Sequence, residues 1–130
     1  EKNLQLIDET GISEQVILRN EFIPDDQVKY YFSASNLVVQ PYKTATQSGI
    51  SQVAYHFNKP MIVTNVGGLP EIVPDGVVGF VAERDPADIA GKIHSYFHEN
   101  REAEFSLNAS REKMKYSWEH LTGELLKLAD

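Results

Sequence analysis

The sequence lacks several features that would assign a protein to particular classes. It has no cysteine, which excludes disulfides and thiolate metal sites and is consistent with a reducing cytosol. No apolar run approaches the ~20 residues of a membrane-spanning helix, and no charged-then-apolar leader opens the chain, so we expect no direct membrane insertion. Net positive charge is also absent: the formal charge is −7, which argues against nucleic acid as a partner.

The composition that remains is that of an ordinary globular domain. The 130 residues are 42% hydrophobic and 24% charged, which is sufficient for one domain with its own core. The chain opens with Glu1-Lys2-Asn3 and no start methionine, so we expect it to be a piece of a longer protein. We predict a single, truncated domain over residues 1–130, whose residues 101–130 form a helical tail.

Short apolar runs alternate along the chain with segments of helical periodicity. The predicted strands are Gln15–Ile23, Asn36–Pro41, Pro60–Thr64 and Gly79–Ala82. The predicted helices are Val28–Ala34, a segment from Thr46, a segment that starts at Asp85-Pro86, and the tail from Arg101, with Met114, Trp118, Leu121 and Leu125 on one side. Apolar strands separated by helices are typical of a parallel sheet covered on both faces. The predicted fold class is therefore α/β, a Rossmann-like parallel sheet with helices on both faces.

In such a sheet, ligands bind at the carboxyl ends of the strands, where loops lead into helices. The loop after the second predicted strand contains Thr46, Gln47 and Ser48. Gly49 and Ile50 would begin the helix that follows. Free backbone N–H groups and the positive end of that helix dipole would suit a diphosphate. The alternative is that Thr46 or Ser48 only caps the helix, and spacing alone favours this simpler interpretation.

The second candidate loop contains Gly67, Gly68 and Glu71. Adjacent glycines let a backbone approach a ligand closely, but they also serve any tight turn. Glu71 would contact a ligand hydroxyl or, as the physics alone favours, would stabilise the first turn of a short helix.

Taken together, these segments resemble the donor-binding, C-terminal domain of GT-B-fold retaining glycosyltransferases, of the group 1 (family four) type. The matching residues are ordered and closely spaced: Asn58-Lys59-Pro60, the strand MIVT, Val66-Gly67-Gly68-Leu69-Pro70-Glu71, Asp75-Gly76, Gly79-Phe80-Val81, Asp85 and Ser117-Trp118-Glu119. The resemblance covers roughly residues 14–119 and implies a partial C-terminal GT-B domain.

The family's usual pair of glutamates is absent. Two glutamates eight positions apart are expected, the second followed by alanine; anchored on Ala54 and Pro60, they fall at Ala45 and Val53. In the family the second glutamate binds the ribose of the donor, and the first lies near the transferred sugar. The sequence contains no glutamate between Phe22 and Pro70.

The resemblance implies transfer of a sugar from a nucleotide-sugar donor to an acceptor hydroxyl with retention, in polysaccharide or glycoconjugate synthesis. The implied donor-binding residues are Thr46, Gln47, Ser48, Gly49, Ile50, Gly67, Gly68 and Glu71, with Gln52 as a further neutral contact. No metal or other cofactor is implied, and the nucleotide-sugar is a substrate. The implied partner is an N-terminal acceptor-binding domain, in a cytoplasmic protein that would reach the membrane surface only through that domain. This chain alone would be inactive.

Parts of the sequence are compatible with three other interpretations. The absence of both glutamates leaves open a non-catalytic nucleotide-binding or scaffolding module of the same fold. His94 and His98 have a spacing that can chelate zinc, but the sequence offers no third ligand. Asp25-Asp26 resembles the acidic pair of phosphorelay receiver domains, yet Gln40 and Asn65 stand where a receiver needs an aspartate.

Overall fold

The computed structural model describes residues 2–17, 25–42 and 49–114. The elements in chain order are α1 (Lys2–Glu9), α2 (Asp25–Ala34), β1 (Val38–Gln40), α3 (Gly49–His56), β2 (Met61–Thr64), α4 (Leu69–Ile72), β3 (Gly79–Ala82) and α5 (Pro86–His98). Residues 102–114 are also helical and are called α6.

The three strands form one parallel sheet in the order β1-β2-β3. Val38 pairs with Met61, and Met61 in turn pairs with Gly79, so the three strands start together, and β2 and β3 extend one residue beyond β1. The predicted parallel α/β sheet is therefore confirmed. The central strand β2 is buried along its whole length, as its uninterrupted apolar sequence predicts.

Both faces of β2 are covered by helices. Met61 and Val63 point to one face, where they join a buried cluster that includes Ala54 and Tyr55 of α3. Ile62 points to the opposite face and is equally buried. On that side α5 packs against β2 and β3.

On the second face of the sheet, contacts between aromatic rings connect β3 and α5 to α6. The Phe105 ring of α6 lies 5.3 Å from the ring of Phe80 on β3 and stacks at 6.1 Å on Tyr96 of α5. The Arg101 guanidinium lies 4.5 Å from the Phe105 ring centre, and it bridges Glu99 and Glu104. These contacts place the start of α6 against the sheet.

Several predicted boundaries differ from the observed ones by one to three residues, as helix and strand ends commonly do. The helix predicted to start at Asp85-Pro86 is α5, and the Asp85 side chain accepts a hydrogen bond from the Ala87 amide as its cap. The strand predicted over Asn36–Pro41 is shorter, because only Val38–Gln40 pair with β2. The remainder of the tail, including Trp118, lies outside the described residues.

Two parts of the N-terminal region differ from the prediction. The strand predicted from Gln15 is wrong at its first three residues, which form a turn and irregular chain. The Gln15 amide closes this turn by donating to the Ile12 carbonyl, so it cannot enter a ladder there. Residues 18–24 lie outside the described part, and α1 was not predicted because its apolar pattern is short.

Candidate functional site

The candidate site lies at the carboxyl edge of the sheet, where β1 and β2 end side by side at Gln40 and Thr64. The chain passes from Thr64 through Asn65 and Val66 to the glycine pair. The Thr64 hydroxyl donates to the Tyr42 carbonyl over 2.6 Å, which ties the segment after β1 to the end of β2. Asn65 is held by its amide, which donates to the Ala82 carbonyl at the end of β3. This edge is therefore a fixed frame for the two candidate loops.

The first candidate loop leads into α3, which begins at Gly49. The first turn of α3 carries no acidic residue, and Ile50 in that turn is 42% exposed. The positive end of the helix dipole is therefore not neutralised by a carboxylate of its own first turn. Thr46, Gln47 and Ser48 lie outside the described residues, so their placement remains a prediction.

The second candidate loop contains two glycines with different backbone conformations. Gly67 has a φ of 52°, a left-handed value that favours glycine. Gly68 has a φ of −90°, which any residue adopts, and a Cβ atom built on it would meet no atom within 4 Å. Neither a left-handed conformation nor packing within the described residues requires a glycine at position 68, although glycine is favoured over alanine at a helix N-cap. A ligand that approaches its Cα closely would require it.

Glu71 lies in the first turn of α4, three residues after Gly68 and two after the buried Leu69. Its backbone amide donates to the Gly68 carbonyl, and its side chain is exposed. This position agrees with the predicted stabilisation of a helix start. It also leaves the carboxylate at the rim of the same edge, so contact with a ligand hydroxyl remains a prediction.

The two candidate loops are joined through a tyrosine. The Tyr55 hydroxyl of α3 donates to the carbonyl of Ile72 in α4. Tyr55 is buried, and its hydrogen bond connects α3, which follows the first loop, to α4, which follows the second. The only signal for this contact in the sequence was an aromatic residue on the apolar face of α3.

A buried polar pair at the same edge was also missed. The Gln40 carboxamide donates to the Ser51 hydroxyl over 3.0 Å, and the two residues are 2% and 0% exposed. The same Gln40 nitrogen lies 3.7 Å from the Met61 sulfur. The available signal was a glutamine at the end of an otherwise apolar strand.

The family pattern places its two glutamates at Val53 and Ala45, and Val53 lies among the described residues. Val53 lies on α3, half-buried, two residues before the buried Tyr55. Ala45 lies outside the described residues. Gln52, which the sequence offered as a neutral polar contact, is exposed on the same helix.

Lys43 and Lys59 are the lysines nearest to the first candidate loop along the chain, and Lys59 does not fit the role of a cation beside the candidate diphosphate. It precedes β2, so it lies at the amino end of the sheet, opposite to the two candidate loops. Its ammonium group donates to the Ser33 carbonyl over 3.3 Å. The other candidate cation, Lys43, lies outside the described residues.

The rival metal site gains no support. The His94 and His98 rings stack on the exposed side of α5, with their centres 5.4 Å apart. Among residues 2–17, 25–42 and 49–114, no group of three histidine, aspartate or glutamate side chains could hold a metal ion. Within the same ranges, no helix is long and apolar enough to cross a membrane.

The comparisons with known proteins agree with this fold. Residues 1–99 match the family described as glycosyl transferases group 1. The chain is 32% identical over 129 residues to a D-inositol 3-phosphate glycosyltransferase of Mycobacterium marinum, covering 94% of the chain and 27% of that relative.

Solved structures show the same architecture. Sucrose-phosphate synthase from Thermosynechococcus elongatus superimposes with a TM-score of 0.80 at 22% identity, over 98% of this chain and 33% of that one. HepE of Anabaena, solved in complex with UDP, superimposes with a TM-score of 0.73 at 21% identity, over 97% of this chain and 36% of that one.

The chain therefore belongs to the group 1 glycosyl transferases and is part of a GT-B-fold domain. It spans about a quarter to a third of the length of these proteins. The predicted family and fold are confirmed.

Proposed function

We propose that this chain binds the nucleotide-sugar donor of a glycosyltransferase, which transfers the sugar to an acceptor hydroxyl with retention of anomeric configuration. The observation that carries the proposal is that the start of α3 and the Gly67-Gly68 turn follow neighbouring strands, β1 and β2, at the same carboxyl edge of the sheet. The start of α3 follows β1 on the same edge of the sheet and has no carboxylate in its first turn. A diphosphate suits such a helix start.

Each residue group has a role in the proposed site. The amides at the start of α3, with Thr46, Gln47 and Ser48 before it, would hold the diphosphate. The Gly67-Gly68 backbone would lie against the sugar or its phosphate, and Glu71 would accept a hydrogen bond from a sugar hydroxyl. The acceptor, and the residues that activate it, would come from an N-terminal domain of the same cytoplasmic protein.

We propose that the reaction needs no metal, because oriented amides and a helix dipole stabilise a departing diphosphate by preorganised electrostatics. The natural role would be polysaccharide or glycoconjugate synthesis. UDP is the first nucleotide to test, since HepE, which shares the fold, was solved with it.

The second candidate function is a nucleotide-binding or scaffolding module without catalysis. The half-buried Val53 favours it, because a carboxylate at this position would bind ribose in the family pattern. Loss of one charged hydrogen bond costs about 1.5 to 3 kcal/mol, which weakens donor binding but does not abolish it. We therefore place donor binding first.

The test is a titration of the isotope-labelled full-length protein with UDP, GDP and ADP separately, followed by NMR of the backbone amides. Selective shifts at Gly49, Ile50, Gly67 and Gly68 with one nucleotide would support the proposal and identify the base. Shifts scattered over α5 and α6, or none at these four amides, would contradict it. Turnover of the matching nucleotide-sugar would then separate the transferase from the scaffold.

A further inference from the structure

The buried pair Gln40 and Ser51 connects the two ends of the first candidate loop. Gln40 is the last residue of β1, and Ser51 lies in the first turn of α3. Their hydrogen bond of 3.0 Å spans eleven positions along the chain. Between them lie the residues proposed to hold the diphosphate, so this bond sets how far the start of α3 lies from the end of the strand.

Burial makes this hydrogen bond hard to break. Gln40 and Ser51 are almost completely removed from water, and a buried polar group without a partner is costly. Movement of the start of α3 away from β1 would leave both groups without this contact. The bond therefore favours one position of the start of α3 relative to the sheet.

A fixed helix start reduces the entropy that must be lost when a ligand binds. Backbone amides bind a diphosphate well only if they converge on it, and ordering them at the moment of binding lowers the affinity. We propose that Gln40 and Ser51 are positioning residues that preorganise the diphosphate-binding start of α3. The inference rests on the proposed donor binding at this helix.

An ordinary packing role would have a different consequence. If the pair only stabilised the core, affinity for the nucleotide would follow the stability of the fold. Exchange of both partners for apolar groups of similar shape leaves neither member of this pair with a lost partner, so it should cost less stability than the two single exchanges added together. The double exchange still removes the directional contact that fixes α3, so a positioning role predicts that affinity stays low.

The experiment uses the full-length protein and UDP, with affinity measured by calorimetry and stability by thermal unfolding. The variants are Gln40→Met, Ser51→Ala and the double variant. The control is Asn108→Leu. Asn108 lies on α6, outside the candidate loops, and its carboxamide donates to the Val77 carbonyl over 2.8 Å. We expect both single variants to lose stability and about 10-fold in UDP affinity, the factor that corresponds to ordering about one residue.

The decisive comparison is between the double variant and the control. We expect the double variant to lose less stability than the two single variants added together and to remain about 10-fold weaker for UDP, and the control to lose stability with unchanged affinity. Recovery of affinity together with stability in the double variant would overturn the positioning role and leave the proposed function intact. If the unaltered protein bound none of UDP, GDP and ADP, the proposed function and this inference would both fail.

Discussion

The glycine at position 68 gives the sharpest test of the site, because the fold itself does not require it. Its φ of −90° is accessible to alanine, and an added Cβ meets no atom within 4 Å. Gly68 is also the N-cap of α4 without a side-chain cap, where alanine is slightly less favourable than glycine. We expect Gly68→Ala to cost about 0.5 kcal/mol, or about 2 °C in Tm.

The effect on ligand binding should be much larger than the effect on stability. If a phosphate or sugar contacts the Gly68 Cα, the new methyl group forces the ligand or the loop to move. Overpacking of this kind typically costs 1–3 kcal/mol, so UDP affinity should fall by about 10- to 100-fold. The assay is calorimetric titration of the full-length protein with UDP, alongside thermal unfolding of each variant.

A matched substitution on α5 serves as the control. Gly91 also has open space around an added Cβ, but it lies within a helix, where alanine is favoured over glycine by about 0.5–1 kcal/mol. Gly91→Ala should therefore raise Tm and leave UDP affinity unchanged. Normal UDP affinity in Gly68→Ala would refute close approach of the ligand to this loop.

Three further substitutions test contacts that the structure brings together. Gly79→Ala should destabilise the fold by at least about 3 kcal/mol in urea unfolding, because its Cβ would lie 1.5 Å from the Met61 carbonyl oxygen. Tyr55→Phe should cost about 1–2 kcal/mol of stability, because it leaves the α4 carbonyl beneath the second loop without this donor. Burial and the charge of Glu102 raise the pKa of Tyr96 above that of an exposed tyrosine. The stability that depends on the neutral phenol is therefore present below pH ~10 and is lost as the pH rises further. Tyr96→Phe should weaken this alkaline loss in unfolding curves between about pH 9 and 11.

Each of these expectations has a contradicting result. A Gly79→Ala protein as stable as the unaltered chain would mean that β2 and β3 are not paired as described. Unchanged stability of Tyr55→Phe would mean that the hydroxyl is satisfied by water and does not join α3 to α4. An alkaline stability profile of Tyr96→Phe that matches the unaltered protein would assign the loss to other groups.

The parts of the fold that depend on local patterns could be predicted from the sequence. The short run Met61–Thr64 is typical of a buried strand, and Asp85 before Pro86 has the residue types of a helix start, so β2 and the start of α5 were predicted to within a residue. The ordered match around Gly67-Gly68 and Pro70-Glu71 was enough to predict the family. Composition excluded disulfides, because no cysteine is present.

Only the tertiary structure shows which side chains that are remote in the sequence come into contact. The pairing of Gln40 with Ser51, and the position of Lys59 at the amino edge of the sheet, depend on how strands and helices pack and not on spacing along the chain. The tertiary structure also shows that the two adjacent glycines differ. Gly67 has a left-handed φ that favours glycine, whereas a Cβ added at Gly68 would meet no atom within 4 Å among the described residues. Spacing along a chain fixes local conformation, whereas distances between remote side chains are fixed only once the sheet brings their elements together.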